Sequence, residues 1–179
     1  MNDEGQRLGS APYPRTTDMV EMARRCHSDT LAFYRYWLGK AGERAMPSRA
    51  DLDPIEMKRF LSCLQLVDVI PDSGRNPPWQ LVYRLVGESE VKVHGFNPTG
   101  RPVAECAIGK ESSDPMGNYN IVVADGQPVY DWSRITHPGG FLVSQECILL
   151  PLSDDGRTVN MVVTYGKVVP TYPVAGRKR

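Results

Sequence analysis

Apolar residues recur at spacings of three and four through Met19, Met22, Ala23, Cys26, Phe33, Tyr34 and Trp37, with Thr30 filling the gap in the series. That period predicts an amphipathic helix of about six turns. It starts after Asp18, which with Glu21 makes a capping-box pattern, and ends near Gly39 or Gly42. A second helix start is written as Asp53-Pro54-Ile55-Glu56. The Asp53 carboxylate can accept from a free amide of the first turn, Pro54 suits the first helical position, and Glu56 can reach back to the Asp53 amide. Its apolar positions are Ile55, Met57, Phe60 and Leu61, and it ends before Leu64.

Beyond it the period changes to two. Leu64 to Ile70 reads as a strand, Pro71 to Pro78 as a loop, and Trp79, Leu81, Tyr83 and Leu85 alternate with Gln80, Val82, Arg84 and Val86 in a second strand. Gly87 to Gly95 predicts one or two helical turns. Residues 96–112 carry breakers and few strand signals. Asp114-Pro115 opens another helix, running to Ala124, with Met116, Tyr119 and Val123 on one face and Gly126 past its end. Val129 to Ile135, Phe141 to Leu152 and Val159 to Val169 are β-rich, separated by His137-Pro-Gly-Gly140 and Asp154-Asp-Gly-Arg157. Short connections make them an antiparallel meander. The expected fold is α+β: a five-stranded antiparallel sheet with helices on one face and an extra N-terminal helix.

Composition narrows the picture. The 179 residues divide into a disordered tail over 1–16, the amphipathic helix over 17–42, a domain over 43–170 and a C-terminal tail over 171–179. Lys plus Arg and Asp plus Glu are equal at 21 each, so no overall field draws nucleic acid or an anionic membrane, and neither is expected as a partner. Cys26, Cys63, Cys106 and Cys147 show neither Cys-x-x-Cys nor zinc spacing and are expected reduced, without a metal. Neither a secretory signal nor a spanning apolar run is present, which implies a cytoplasmic protein.

Trp37, Pro47, Arg49, Asp51, Asp53-Pro54, Tyr83-Arg84-Leu85, Gly87, Gly95, Thr99-Gly100, Gly126, Pro128 and Pro151-Leu152, in that order and spacing, resemble a group of short bacterial proteins built around a single PAS domain. The resemblance covers roughly residues 37–169. It implies a sheet in the order 2-1-5-4-3, a helical crossover enclosing a small cavity, and a sensing or docking role without catalysis. Arg49, Asp51, Asp53, Pro54, Arg84, Gly87, Gly95 and Gly100 are then scaffold. Gly87 and Gly95 allow tight turns around a short helix, and Arg84 is placed to hold the Asp51–Asp53 segment against the sheet.

The ligand is left open. Haem would need an axial His on the helix before the third strand, and that helix has none; His94 ends an earlier helix and His137 sits in a turn. Flavin photoreceptors of this fold carry Asn-Cys-Arg-Phe-Leu-Gln, which the surroundings of Cys106 do not match. Neither cofactor is expected. Ser144 and Glu146 share a strand face, which suits a pocket pair or a wet face, and no motif supports a small enzyme. Two classes remain: a sensor that binds a small ligand, and an interaction adaptor with a filled core. Either acts in trans on a signalling partner, since no output domain accompanies the fold. Candidate pocket residues are Tyr83, Leu85, Tyr119, Val123, Tyr130, Trp132 and Cys147, with ordinary core aromatics as the plainer reading. The N-terminal stripe covers either its own domain or, in a homodimer, a second chain.

Overall fold

Strands form where the alternation puts them: β1 Leu64–Pro71, β2 Trp79–Val86, β3 Val129–Thr136, β4 Leu142–Leu152 and β5 Met161–Val169. This computed structural model describes residues 15–106, 114–136 and 142–169. The turn expected at 137–140, residues 1–14 of the N-terminal tail and the C-terminal tail over 171–179 lie outside the described residues. All pairings are antiparallel and the order is β2-β1-β5-β4-β3, as expected. Helices α3 Glu88–His94, α4 Val103–Cys106 and α5 Pro115–Asp125 follow the hairpin and precede the meander.

The N-terminal segment departs from its period. It is two helices, α1 Met19–Arg25 and α2 Ser28–Ala41. Asp18 caps the first through Val20 and Glu21 amides, while Glu21 pairs with Arg25. The break falls at Cys26 and His27, both extended. The His27 amide donates to Glu146 on β4 at 2.9 Å, and its ring accepts from the Asp29 amide. A tertiary acceptor thus takes a donor that a continuous helix would have used internally. Thr30, read as a filler, is fully buried and donates to the same carboxyl. Residues 15–16 are not tail: Thr16 exchanges two 2.9 Å backbone bonds with Tyr130.

Helix α2 lies across β4 and β5. Phe33 is 0% exposed and packs on Phe60 and Tyr165 with ring centroids 5.3 and 5.4 Å apart. Trp37 donates its indole N–H to the Pro151 carbonyl at 3.0 Å. The stripe is therefore core of its own chain. Helices stand on both faces of the sheet, α1 and α2 on one (the outer face) and α3 to α5 on the other (the inner face).

The Asp53 helix does not form. Residues 54–60 run as turns into a 3₁₀ turn, Leu61–Cys63. Asp53 accepts from the Ile55 amide at 2.8 Å, two residues on, while its own amide goes to the Tyr36 hydroxyl. Glu56 faces away to Lys40 at 2.6 Å. A short Asp side chain that bonds its own following backbone competes with the helix it was expected to start. The capping box sits upstream instead, between Ser48 and Asp51 around the 3₁₀ turn Arg49–Asp51. Arg44 pairs with Asp51 and, with the Ser48 bonds, holds that carboxyl down to about 2. Arg49 caps the Leu52 carbonyl at 3.0 Å. Arg84 reaches neither Asp51 nor Asp53 but Asp68 on the neighbouring strand, at 2.9 Å.

Gly95 and Gly100 have φ of 78° and 83°, left-handed values that favour glycine. Gly87 serves differently. A Cβ there would press on the Leu61 and Ser62 carbonyl oxygens, both backbone. Gly87→Ala is expected to cost about 1–3 kcal/mol, the range for overpacking a tight contact. Urea denaturation checks it, and an unchanged midpoint would show that the 3₁₀ turn moves aside freely.

Candidate functional site

Residues on β4 alternate between the two faces, so adjacent side chains meet different helices. Gln145 turns to the inner face, Glu146 to the outer. Across the sheet, Gln65 pairs with Thr164, and Cys147 with Gly166, on the inner face. Helix α3 lies over them and lowers Glu90 into the sheet.

Glu90 is 2% exposed. Its two oxygens accept from Gln145 Nε2 at 2.7 Å and Gln65 Nε2 at 2.9 Å. Gly166 makes room for this: a Cβ there would strike both the Gln145 amide and the Glu90 carboxyl. Thr164 Oγ1 donates to Gln65 Oε1 at 3.3 Å, and Tyr119 on α5 lies close by. One helical turn beyond Glu90, His94 sets its Nε2 3.5 Å from Gln65 Nε2 and its ring edge-on to Tyr83, centroids 5.6 Å apart. Burial pushes Glu90 up to about 7, against the two amide bonds that favour the carboxylate. Burial also pushes His94 below the usual imidazole range, with the Cys106 backbone opposing weakly. The Tyr83, Tyr119 and Cys147 acids are all raised, first by burial and then by neighbours that include Glu90. A groove of about 330 Å³ runs along this face between the start of β2 and α4, past Trp79, Leu81, Pro102 and Met116.

The expected pocket residues divide. Tyr83, Tyr119 and Cys147 meet on the inner face. Val123 sits only at the margin, and Val122 is the buried residue of that turn of α5. Leu85 is 44% exposed and faces the other way. The pairing jumps from Leu66↔Leu85 to Val67↔Tyr83, so Arg84 is the extra residue of a β-bulge, and alternation inverts across it. Tyr130 and Trp132 lie on the outer face. The Tyr130 hydroxyl donates to Glu146 at 2.8 Å and accepts from Trp132 Nε1 at 3.0 Å. Glu146 is buried against the N-terminal helices and Ser144 is buried too, so the wet-face reading of that strand is overturned.

Gln65, Glu90, Gln145 and Thr164 escaped the sequence reading, in which His94 figured only as a haem ligand that did not fit. One signal was available: Glu90 and His94 are four apart and share a helix face. Gln65, alone among Leu64, Leu66 and Val67, is a polar residue in an apolar strand.

A family model for the PAS domain matches residues 25–165, a span that takes in α2 and ends within β5. Among solved structures, a light-oxygen-voltage domain from a study of its mechanism with a flavin analogue is 12% identical, with 65% of this chain and 83% of that chain covered and a TM-score of 0.50. An RNA-binding light-oxygen-voltage receptor is 19% identical, with 69% of this chain and 36% of its own covered and a TM-score of 0.47. The Rhodobacter sphaeroides LOV protein is 11% identical, with 69% and 72% covered and a TM-score of 0.47. Comparison with curated proteins gives no match. At these identities the likeness is one of fold. Among the described residues no helix is long and apolar enough to cross a membrane.

Proposed function

The chain belongs to the PAS domain family, and from that premise we propose that it is a sensory module whose inner face receives a small ligand and passes its occupancy to a partner protein. The observation that carries this is the Glu90 cluster. A core made only to be stable is better built apolar, because each buried polar group has to be matched. Here a carboxyl, two amides, an imidazole and hydroxyls converge beneath one short helix. A groove open to solvent reaches Leu81, the inner-face neighbour of Tyr83 on β2, without touching the Glu90 cluster itself. The outer face offers the means of output: α1 and α2 are held by Glu146, the residue next to Gln145.

The residues do not fit a flavin photoreceptor. Cys106 closes α4 in Val-Ala-Glu-Cys, buried in the core, with none of the flanks of Asn-Cys-Arg-Phe-Leu-Gln. The role proposed is recognition, not catalysis. A second reading, the ligand-free adaptor, is favoured by one feature: both Glu90 oxygens are already satisfied within the chain.

Native mass spectrometry of the purified full chain separates the two. A sensor is expected to carry a small molecule through mild purification and to lose melting temperature when it is stripped, by mass action. A chain of bare mass, with a melting temperature that no metabolite mixture raises, would leave the adaptor reading in place. The same spectrum reports whether the protein is a homodimer.

A further inference from the structure

Among the described residues Glu90 is the single carboxyl in its cluster, and the 3₁₀ turn Leu61–Cys63 packed on α3 brings no carboxyl or cation. Gln65 faces it from β1, Gln145 and Cys147 from β4, Thr164 and Gly166 from β5, and on α3 His94 lies one turn along. Tyr83 on β2 and Tyr119 on α5 are near enough for its charge to be felt. Among the described residues none of these is a cation at neutral pH. The tyrosines and the thiol are pushed towards their protonated, neutral forms, and His94 towards its neutral ring. Among the described residues the ionised carboxylate has two amide N–H groups to stabilise it.

We propose that the proton is a signal read at this site: Glu90 takes up a proton as pH falls, and the hydrogen bonds that tie α3 to β1 and β4 rearrange in response. The donor that protonation adds drives the rearrangement. As a carboxylate Glu90 accepts from both glutamines. Those two bonds leave lone pairs free on both oxygens, so protonation can keep them, but the O–H it adds is a buried donor that needs an acceptor. One glutamine then turns its amide to present an oxygen, or α3 shifts. Burial has already raised Glu90 to about 7, so the exchange falls in a physiological range. This deepens the sensory reading and rests on its choice of site, but needs no organic ligand.

The sign of the stability effect follows from linkage. A folded value near 7 against an ordinary 4.5 means that the fold binds this proton more tightly than the unfolded chain does. The stabilisation is full below about 4.5 and is lost as pH rises through about 7. His94, shifted down, works in the opposite sense below its ordinary 6.5. The difference between wild type and Glu90→Gln therefore isolates the Glu90 contribution.

The test is a pH titration of the full chain by infrared difference spectroscopy, with melting curves alongside. Wild type is expected to show a buried, protonated carboxyl band that disappears with a midpoint near neutrality. The band should be absent from Glu90→Gln and retained in Glu88→Gln, an exposed neighbour. Wild type minus Glu90→Gln stability should fall between about pH 4.5 and 7. If Glu90→Gln does not fold, Gln145→Leu serves: removing one donor to the carboxylate moves the midpoint upward. A band that persists without Glu90, no band above pH 6, or an unmoved midpoint in Gln145→Leu would overturn the proposal. A ligand found by mass spectrometry without a titrating band leaves the sensory reading and removes this one. A titrating band without a ligand does the reverse.

Discussion

Replacing Phe33 by alanine is expected to cost about 3–5 kcal/mol, the range for removing a buried phenylalanine. The ring is fully buried and touches Phe60 and Tyr165, which themselves meet edge-on at 5.6 Å. Deleting it opens a cavity at the point where α2, the 54–63 turns and β5 converge. None of these elements can collapse into the space independently, so the cost should fall at the upper end. Guanidinium denaturation of the full chain measures it. By the same argument a chain that begins after Leu38 exposes the β4–β5 face and is expected not to fold. A loss below about 1 kcal/mol would mean that α2 rests loosely on the sheet. In that case its stripe would again be free for a second chain. As the structure stands, Met22, Phe33 and Trp37 are all buried within the chain, and the stripe no longer argues for a dimer.

Fold and site differed in how much of them the sequence exposed. The strands were legible because burial on one or both faces writes a period of two into Leu64–Val69, Trp79–Tyr83 and the last three strands, and the turn residues between them are few and specific. Sheet order came from the PAS resemblance and not from periodicity, since alternation carries no information about which strand lies beside which. What failed did so where one backbone donor chose a distant partner. The His27 amide breaks the N-terminal helix for an acceptor 119 residues away in sequence. Asp53 satisfies its own backbone locally and so stops a helix that its neighbours would have allowed. The β-bulge at Arg84 inverts the facing of Leu85, and nothing in Tyr-Arg-Leu-Val announces an extra residue.

The site was half legible for a related reason. Tyr83, Tyr119 and Cys147 are apolar enough to be assigned inward. Gln65, Gln145 and Glu90 are residue types usually found at the surface, and only pairing across strands shows that they satisfy one another inside.

The other large effect is expected at Glu146, on the opposite face. This carboxyl is 1% exposed and takes three donors from two segments: the His27 amide, the Thr30 hydroxyl and the Tyr130 hydroxyl. Glu146→Ala leaves a buried amide and two hydroxyls without their acceptor. At about 1–3 kcal/mol for each donor left unmatched, reduced because hydroxyls can turn to other partners, the loss should be about 3–5 kcal/mol. Glu146→Gln keeps one acceptor oxygen and is expected to lose about 1–2 kcal/mol, with the remaining oxygen shared between the helix break and Tyr130. The two variants also separate a packing role from a latch. Hydrogen exchange should show whether the loss is uniform or confined to residues 19–41. Loss of protection limited to α1 and the start of α2, with the sheet still protected, is expected of Glu146→Gln, because its bonds hold His27 and Thr30 while Phe33 and Trp37 hold the rest of α2. That outcome would establish α1 and the first turn of α2 as a unit able to leave the sheet at low cost, the movable element that a sensor needs for its output. Equal loss across β4, β5 and the helices would show a single cooperative core, and the N-terminal pair would then be ruled out as the part that carries a signal.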